Sequence, residues 1–283
     1  MERIGIITGA TTHINYKLFG YKAVAHLLIN VQFRQTDQLI KYLQNMPDVY
    51  RAYNSGVEGN VGVITTLKTL EQLSEVKDCI KTNFSVAQMK TAIWTDVKEM
   101  NYNLAITENN RKKNEVPTSN TTITNEETLP CIDEIDLRIA DLLASDGRMS
   151  MESLSSKIGL SSYATNSRYE KLRNNGVLKV TIQVNPNKIG YRALCVFFTV
   201  TSDEKSELII EKICEIPDII SIMKTAGDYD LQIYAMVQDL DRLLSIQEEI
   251  GRIQGIVKMD TELLRFNDEW KKWPTPRQYI STF

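Results

Sequence analysis

Four consecutive residues near the end of the chain, Gly227-Asp228-Tyr229-Asp230, combine a backbone position without a Cβ with two carboxylates and a phenol. Gly227 lets the main chain approach a ligand closely, and Asp228 and Asp230 can accept hydrogen bonds from an ammonium group. Thr225 and Thr261, with backbone N–H groups, can serve a carboxylate, so the set suits a free amino acid. The same residues also suit a tight hairpin loop, in which Gly227 and Asp228 make the turn, Tyr229 packs and Asp230 caps a strand. A second set has the chemistry of nucleic-acid contact: Ser161, Ser162, Tyr163, Thr165, Asn166, Arg168 and Lys171, with Arg148 and Ser150 shortly before them. Asn suits adenine, Arg suits guanine or phosphate, and Tyr163 suits a thymine methyl or a sugar. Tyr169, spaced with Thr165 and Leu172, reads as core. Catalytic patterns are lacking: His13 and His26 are the two histidines, and no Ser/His/Asp, Cys/His, metal-ligand or phosphate-loop arrangement surrounds them. His26, within Ala25-His26-Leu27-Leu28, reads as a strand residue with its hydrogen bonds satisfied. Cys79, Cys131, Cys195 and Cys214 have no CxxC spacing, so no zinc site, disulfide framework or other cofactor is expected.

The elements that must position these groups come from a module that occurs twice. Phe19-Gly20-Tyr21 returns as Ile189-Gly190-Tyr191 and Met46-Pro47-Asp48-Val49 as Ile216-Pro217-Asp218-Ile219, both at an offset of 170 residues. A two-copy unit of roughly ninety residues is a duplicated domain rather than a solenoid, whose period would be about 20–50. In each copy apolar, β-branched runs alternate with segments of helical period in the order strand, helix, strand, strand, helix, strand. In the second copy the strands are 193–200, 219–223, 231–236 and 256–264, with helices near 205–214 and 240–250. In the first copy the strands are 24–31, 49–54, 61–66 and 86–94, with helices at 36–43 and 70–80. That order predicts a ferredoxin-like βαββαβ domain, with both helices on one face of an antiparallel sheet. The other face needs a cover, which another sheet usually supplies.

Between the copies, residues 101–130 are rich in Asn, Thr, Glu and Lys and read as a polar linker. After it, Ile135, Ile139, Leu142 and Leu143 fall on one helical face. Ser150 is an N-cap for a short helix through Lys157 with Met151, Leu154 and Ile158 inward. Gly159-Leu160-Ser161 makes a turn, and Ser161 or Ser162 caps a third helix ending at Asn175-Gly176. Three helices with a short Gly-containing turn predict a helix-turn-helix. Charge agrees: the first helix carries Asp133, Glu134, Asp136, Asp141 and Asp146 against Arg138, whereas the third segment carries Arg168, Lys171, Arg173 and Lys179 against Glu170. The net charge of −3 means that DNA contact must come from such a local basic surface. No apolar stretch approaches the roughly 18 residues of a membrane span, and Met1-Glu2-Arg3 leads into a run too short for a signal peptide, so a cytoplasmic protein is expected.

The stretch from Ile132 to Leu264 resembles the Lrp/AsnC, or feast/famine, family of transcriptional regulators. The resemblance rests on Ile132-Asp133-Glu134-Ile135-Asp136, Asp146-Gly147-Arg148-Met149-Ser150, Gly159-Leu160-Ser161, Arg168-Tyr169-Glu170-Lys171-Leu172 and Asn175-Gly176-Val177-Leu178. It continues through Asn185-Pro186-Asn187-Lys188-Ile189-Gly190-Tyr191 to Gly227-Asp228-Tyr229-Asp230. The first copy resembles the same ligand-binding domain, called RAM, and its opening from Gly5-Ile6-Ile7 to Asn15 resembles the strand that normally follows a helix-turn-helix. The resemblance implies an α+β architecture, with an all-α helix-turn-helix between two RAM copies. Its parts are an N-terminal RAM-like domain (1–100), the linker (101–130), the helix-turn-helix (131–178), a C-terminal RAM domain (179–266) and an aromatic tail (267–283). Family members usually carry one helix-turn-helix and one RAM domain. This chain therefore looks like a tandem duplication that lost its first DNA-binding part, or a start site placed too late. In the first copy the segment matching the ligand loop is Val57-Glu58-Gly59-Asn60, without an Asp.

The resemblance implies binding of double-stranded DNA as a homodimer or higher even oligomer, with recognition helices roughly 34 Å apart in successive major grooves. It also implies an amino-acid effector at Thr225, Gly227, Asp228, Tyr229, Asp230 and Thr261, where RAM domains meet. Pairing of like copies across chains is the expected arrangement, because the unit after Pro130 retains what the family uses to dimerise. Two other readings stay open at this point. One is an architectural DNA-binding protein without effector. The other is an enzyme like the siroheme decarboxylases, which share the fold and occur as tandem forms but need His and Arg in the ligand cleft.

Overall fold

The computed structural model describes residues 2–14, 21–46, 49–55, 60–100, 132–175, 177–202 and 206–265. The linker, the C-terminal tail and the first copy's loop at 56–59 lie outside the described residues. The first copy comprises β2 (Ala23–Val31), α1 (Thr36–Gln44), β3 (Val49–Asn54), β4 (Asn60–Leu67), α2 (Glu71–Asn83) and β5 (Val86–Met100), preceded by β1 (Ile7–Ile14). The helical insert holds α3 (Glu134–Ser145), α4 (Met151–Ile158) and α5 (Ser162–Asn174). The second copy follows β6 (Leu178–Val184) with β7 (Ala193–Thr201), α6 (Ser206–Cys214), β8 (Ile219–Gly227), β9 (Leu231–Val237), α7 (Leu240–Gly251) and β10 (Ile256–Arg265). Each copy is thus the βαββαβ unit its periodicity predicts.

Strand alternation decides the layers. In the second copy Cys195, Phe197, Ile222, Ile233 and Ala235 point to one side and pack with Ile209, Ile213, Leu243, Ile246 and Ile250 of α6 and α7. In the first copy Ala25, Leu27, Ile29 and Val63 pack with Leu39, Leu43, Leu73 and Ile80 of α1 and α2. The opposite faces form a third core, in which Leu28, Tyr53, Ala92 and Trp94 meet Leu194, Val196, Phe198, Met223, Tyr234 and Leu264. The two copies therefore cover each other, through one eight-stranded antiparallel sheet of order β10-β7-β9-β8-β5-β2-β4-β3.

This overturns the expectation that like copies pair across chains. The seam is β5 against β8, antiparallel from Ala92↔Gly227 to Met100↔Ser221. Local pattern predicts β5 only to Trp94 and β8 only to Met223. Both run on because each supplies the other's backbone partners, and that pairing is invisible in either segment alone. β1 and β6 form a separate antiparallel pair, with Thr11 opposite Thr181. The helical domain packs on that ribbon: Tyr21 from the first copy lies in one core with Ile139, Leu143, Leu154, Leu172 and Leu178.

Candidate nucleic-acid interface and ligand loop

The three helices are set by side-chain caps. Asp133 accepts from Asp136 N at 2.9 Å while the Asp136 carboxylate accepts from Asp133 N, a reciprocal capping box that starts α3. Ser150 Oγ accepts from Ser153 N at 3.1 Å and starts α4; Ser161 Oγ accepts from Ala164 N at 3.2 Å and starts α5. Gly159 ends α4 at φ +80° with no atom near its missing Cβ, so it serves backbone conformation alone. Ser150 and Ser161 thus use their hydroxyls within the motif, and Ser162 Oγ shares a hydrogen with Ser155 Oγ at 3.2 Å.

On α5 the outward face carries Tyr163, Asn166 and Lys171, all exposed, with Tyr163 at 86% exposure. Ser167, also exposed, joins them at helical spacing from Tyr163, and the residue-type argument missed it because serine alone has little readout specificity. Tyr169 is half-buried against the helical core, as its spacing predicts. Two residues of the expected reading set are corrected. Thr165 is fully buried, with an Oγ1 that makes no hydrogen bond among the described residues, because its position on α5 faces the helical core. Arg168, 32% exposed, is engaged within the domain: its Nη1 donates to Asp133 Oδ2 at 2.7 Å and Asp136 Oδ1 at 2.8 Å, and Asp136 is buried. Those two carboxylates raise the guanidinium above its ordinary value. The backbone N–H of Asp136, followed by Arg168, holds Asp133 below the usual carboxylate range. Arg168 therefore ties α5 to the start of α3. Arg148, in the turn before α4, pairs with Glu2 at 2.6 Å, both half-exposed, and remains accessible to a phosphate.

Arg168→Ala is accordingly expected to destabilise the helical domain by about 1–3 kcal/mol, since it strips the buried Asp136 carboxylate of its cationic partner and leaves it the Asp133 N–H alone. Base preference of the folded fraction should be unchanged. A urea-unfolding series with binding measured on the same samples checks this; normal stability with altered base preference would return Arg168 to the reading set.

The Gly227-Asp228-Tyr229-Asp230 loop joins β8 to β9 and meets the first copy. Asp228 Oδ2 accepts from Thr91 N at 2.6 Å and Asp228 N donates to Thr91 O at 2.8 Å. Asp230 Oδ2 accepts from Thr201 N at 2.7 Å, and Thr225 Oγ1 donates to Tyr229 O at 2.7 Å. Tyr229 is 2% exposed and donates to Asp260 at 2.5 Å, while Lys90 reaches the same Asp260 oxygen at 2.6 Å. Burial, with Asp260 beside it, pushes the Tyr229 phenol far up. The structure brings Thr225, Gly227, Asp228, Tyr229 and Asp230 together. Thr261 is corrected: it alternates onto the helix side of β10, beside Met259, and accepts from Gln247 of α7 at 3.0 Å. The partners Lys90, Thr91 and Asp260 carry no local motif, and only the meeting of the two copies identifies them.

Deeper between the two copies' halves of the sheet lies a buried polar chain. Trp94 Nε1 donates to Gln232 Oε1 at 2.8 Å, which fixes the amide so that Gln232 Nε2 faces His26 Nδ1 at 2.6 Å and Tyr234 Oη at 2.6 Å. His26 Nε2 lies 2.7 Å from Tyr53 Oη, and Tyr53 donates to Glu262 Oε2 at 3.0 Å. Neutral His26 therefore donates from Nε2 and accepts at Nδ1. Burial lowers its pKa to about 3, and burial raises that of Glu262 to about 7. His26 is, as its run suggested, a satisfied strand residue.

Residues 132–173 match the model of the AsnC-type helix-turn-helix domain, and residues 195–264 match that of the Lrp/AsnC ligand binding domain. The HTH-type transcriptional regulator FL11 of Pyrococcus abyssi is 31% identical over 126 residues, covering 44% of this chain and 83% of that protein. The HTH-type transcriptional regulator LrpA of Pyrococcus horikoshii is 29% identical over 130 residues, 45% of this chain and 92% of that protein. Both relatives match less than half of this chain, whereas the solved structure of the siroheme decarboxylase NirDL aligns over 99% of this chain and 84% of its own. That alignment has a TM-score of 0.65 at 12% identity, a likeness of fold alone. By its helix-turn-helix, its ligand-binding domain and its similarity to these regulators, the chain belongs to the Lrp/AsnC family.

Proposed function

We propose that the chain is a transcriptional regulator that binds double-stranded DNA in the cytoplasm through α5 and presents one reading helix per chain. The observation that carries this is the outward face of α5, where Tyr163 stands 86% exposed beside Asn166 and Lys171 on a helix-turn-helix whose polar caps are otherwise satisfied. Since two RAM-like copies cover each other within one chain, a single chain reads one half-site, and a pseudo-palindrome needs two chains held through another surface. Selection of bound sequences from a random duplex pool, at two salt concentrations, tests the reading. A recovered motif supports a specific regulator, and enrichment of nothing beyond salt-sensitive binding supports an architectural protein. Asn166→Ala is expected to lose about 1–3 kcal/mol of discrimination at one base position, measured as relative affinity for matched and substituted sites.

The effector part of the reading places an amino acid at the Gly227 loop. Its ammonium group would compete with Thr91 N for the Asp228 carboxylate, so repeating the selection with and without mixed amino acids reads the coupling. The reading is of a binding protein rather than a catalyst. Both ring nitrogens of His26 are engaged by Gln232 and Tyr53, which leaves neither nitrogen of that ring for proton transfer to a substrate.

A further inference from the structure

We infer that the face between the two copies carries a recognition code: it pairs the first copy with the second and bars either copy from pairing with itself. The copies correspond at an offset of 170 throughout, β2 to β7, α1 to α6 and β3 to β8 among them. Thr11 pairs with Thr181, its own counterpart, so the pseudo-two-fold axis passes between those residues. Lys90 and Asp260 are counterparts too, and they meet each other: Lys90 Nζ lies 2.6 Å from Asp260 Oδ2, with both side chains largely covered. A position that meets its own counterpart is where a symmetric dimer of identical copies would set a residue against itself. Two second copies would oppose Asp260 to Asp260, each keeping Lys258 of its own copy at 3.5 Å but losing Lys90 at 2.6 Å, and two first copies would oppose Lys90 to Lys90, in a partly desolvated site where like charges repel.

The buried polar chain carries the same code. The first copy supplies His26, Tyr53 and Trp94; the second supplies Gln232, Tyr234 and Glu262. Their counterparts are Val196, Met223 and Leu264 in the second copy and Gly62, Ile64 and Ala92 in the first, none with a polar side chain. In a dimer of second copies Gln232 would face Val196 and Leu264 and keep only Tyr234 of its own copy, and Glu262 would face Met223 in place of the Tyr53 hydroxyl, so both lose hydrogen bonds in a buried site. In a dimer of first copies His26 and Trp94 would face Gly62. Gly62 has its own role within the first copy, because a Cβ there would come 2.3 Å from the Tyr53 ring that reaches Glu262. Two chains can thus exchange copies only as first with second, and any assembly of like parts must use a different surface.

The test uses the full chain with a specific protease site introduced in 101–130. After cleavage, native mass spectrometry is expected to find a complex of one N-terminal with one C-terminal fragment. Homodimers of either fragment in comparable amount would overturn the inference. In the same background, Asp260→Lys should raise the dissociation constant between fragments at least about tenfold, and the exchange Lys90→Asp with Asp260→Lys should recover most of that loss. An exchange no better than the two single variants combined would also overturn it, and the cleavage result stands by itself should a single variant fail to fold.

Discussion

Gly227→Ala is expected to destabilise the chain by about 3 kcal/mol or more, the sum of backbone strain and a lost seam. Gly227 sits at φ +126°, and a Cβ there would lie 2.5 Å from the carbonyl oxygen of Thr91, a backbone atom that cannot rotate away. Moving β8 off β5 to relieve the contact breaks the hydrogen bonds Asp228 N to Thr91 O and Thr91 N to Asp228 Oδ2, which hold the second copy to the first. Gly159 supplies the control. It also has a positive φ, +80°, but nothing stands within 4 Å of its missing Cβ, so Gly159→Ala carries only the strain, about 1–2 kcal/mol. Denaturant midpoints of both variants, with hydrogen exchange read at β5, separate the two costs. Equal midpoints, with β5 amides as protected as in the parent chain, would mean that the loop does not lock the copies together.

Glu262→Gln is expected to change the pH dependence of stability by about 3 kcal/mol between pH 4.5 and 7. Burial raises the Glu262 carboxyl from its ordinary 4.5 to about 7 in the folded chain. The unfolded chain therefore releases this proton first. Stability from the neutral carboxyl is fully present below pH 4.5 and is lost as pH rises to about 7. His26 acts oppositely: its folded value near 3 lies below the ordinary 6.5, so its contribution is present above 6.5 and is lost as pH falls toward 3. Between 4.5 and 6.5 the two slopes oppose, and the parent chain should be nearly flat there. The variant keeps a neutral amide at 262 and retains the His26 slope alone, so it should gain on the parent steadily from pH 4.5 to 7 and no further beyond. Urea midpoints of both chains at several pH values measure the difference, and parallel curves would show that Glu262 does not hold its proton in the folded state.

Local pattern alone determined most of the elements. The continuous apolar run at 193–200, helical spacing at Leu243 and Ile250, and the caps at Ser150 and Ser161 act within a few residues, so they are readable one segment at a time. The repeat at offset 170 is itself the mark of the duplication, and Gly227-Asp228-Tyr229-Asp230 marks the loop at the junction of the copies. What remained hidden depends on residues far apart in the chain. Arg168 looked like a base reader because its type and helix suit DNA; its partners Asp133 and Asp136 lie 35 and 32 residues away and claim it for the fold. Thr261 has the right chemistry for a carboxylate, but strand alternation in β10 turns it toward α7. Like-with-like pairing looked natural because each copy is complete. Whether a copy accepts its own kind depends on which side chains face each other across the two halves of the sheet, and Lys90 with Asp260, 170 residues apart, exists as a pair only once those faces have met. The sequence therefore determined the modules and their order, because short-range periodicity and capping specify them. Only the tertiary structure decided which module partners which and which polar groups stay available for a ligand, because those outcomes rest on long-range complementarity of charge and hydrogen bonding.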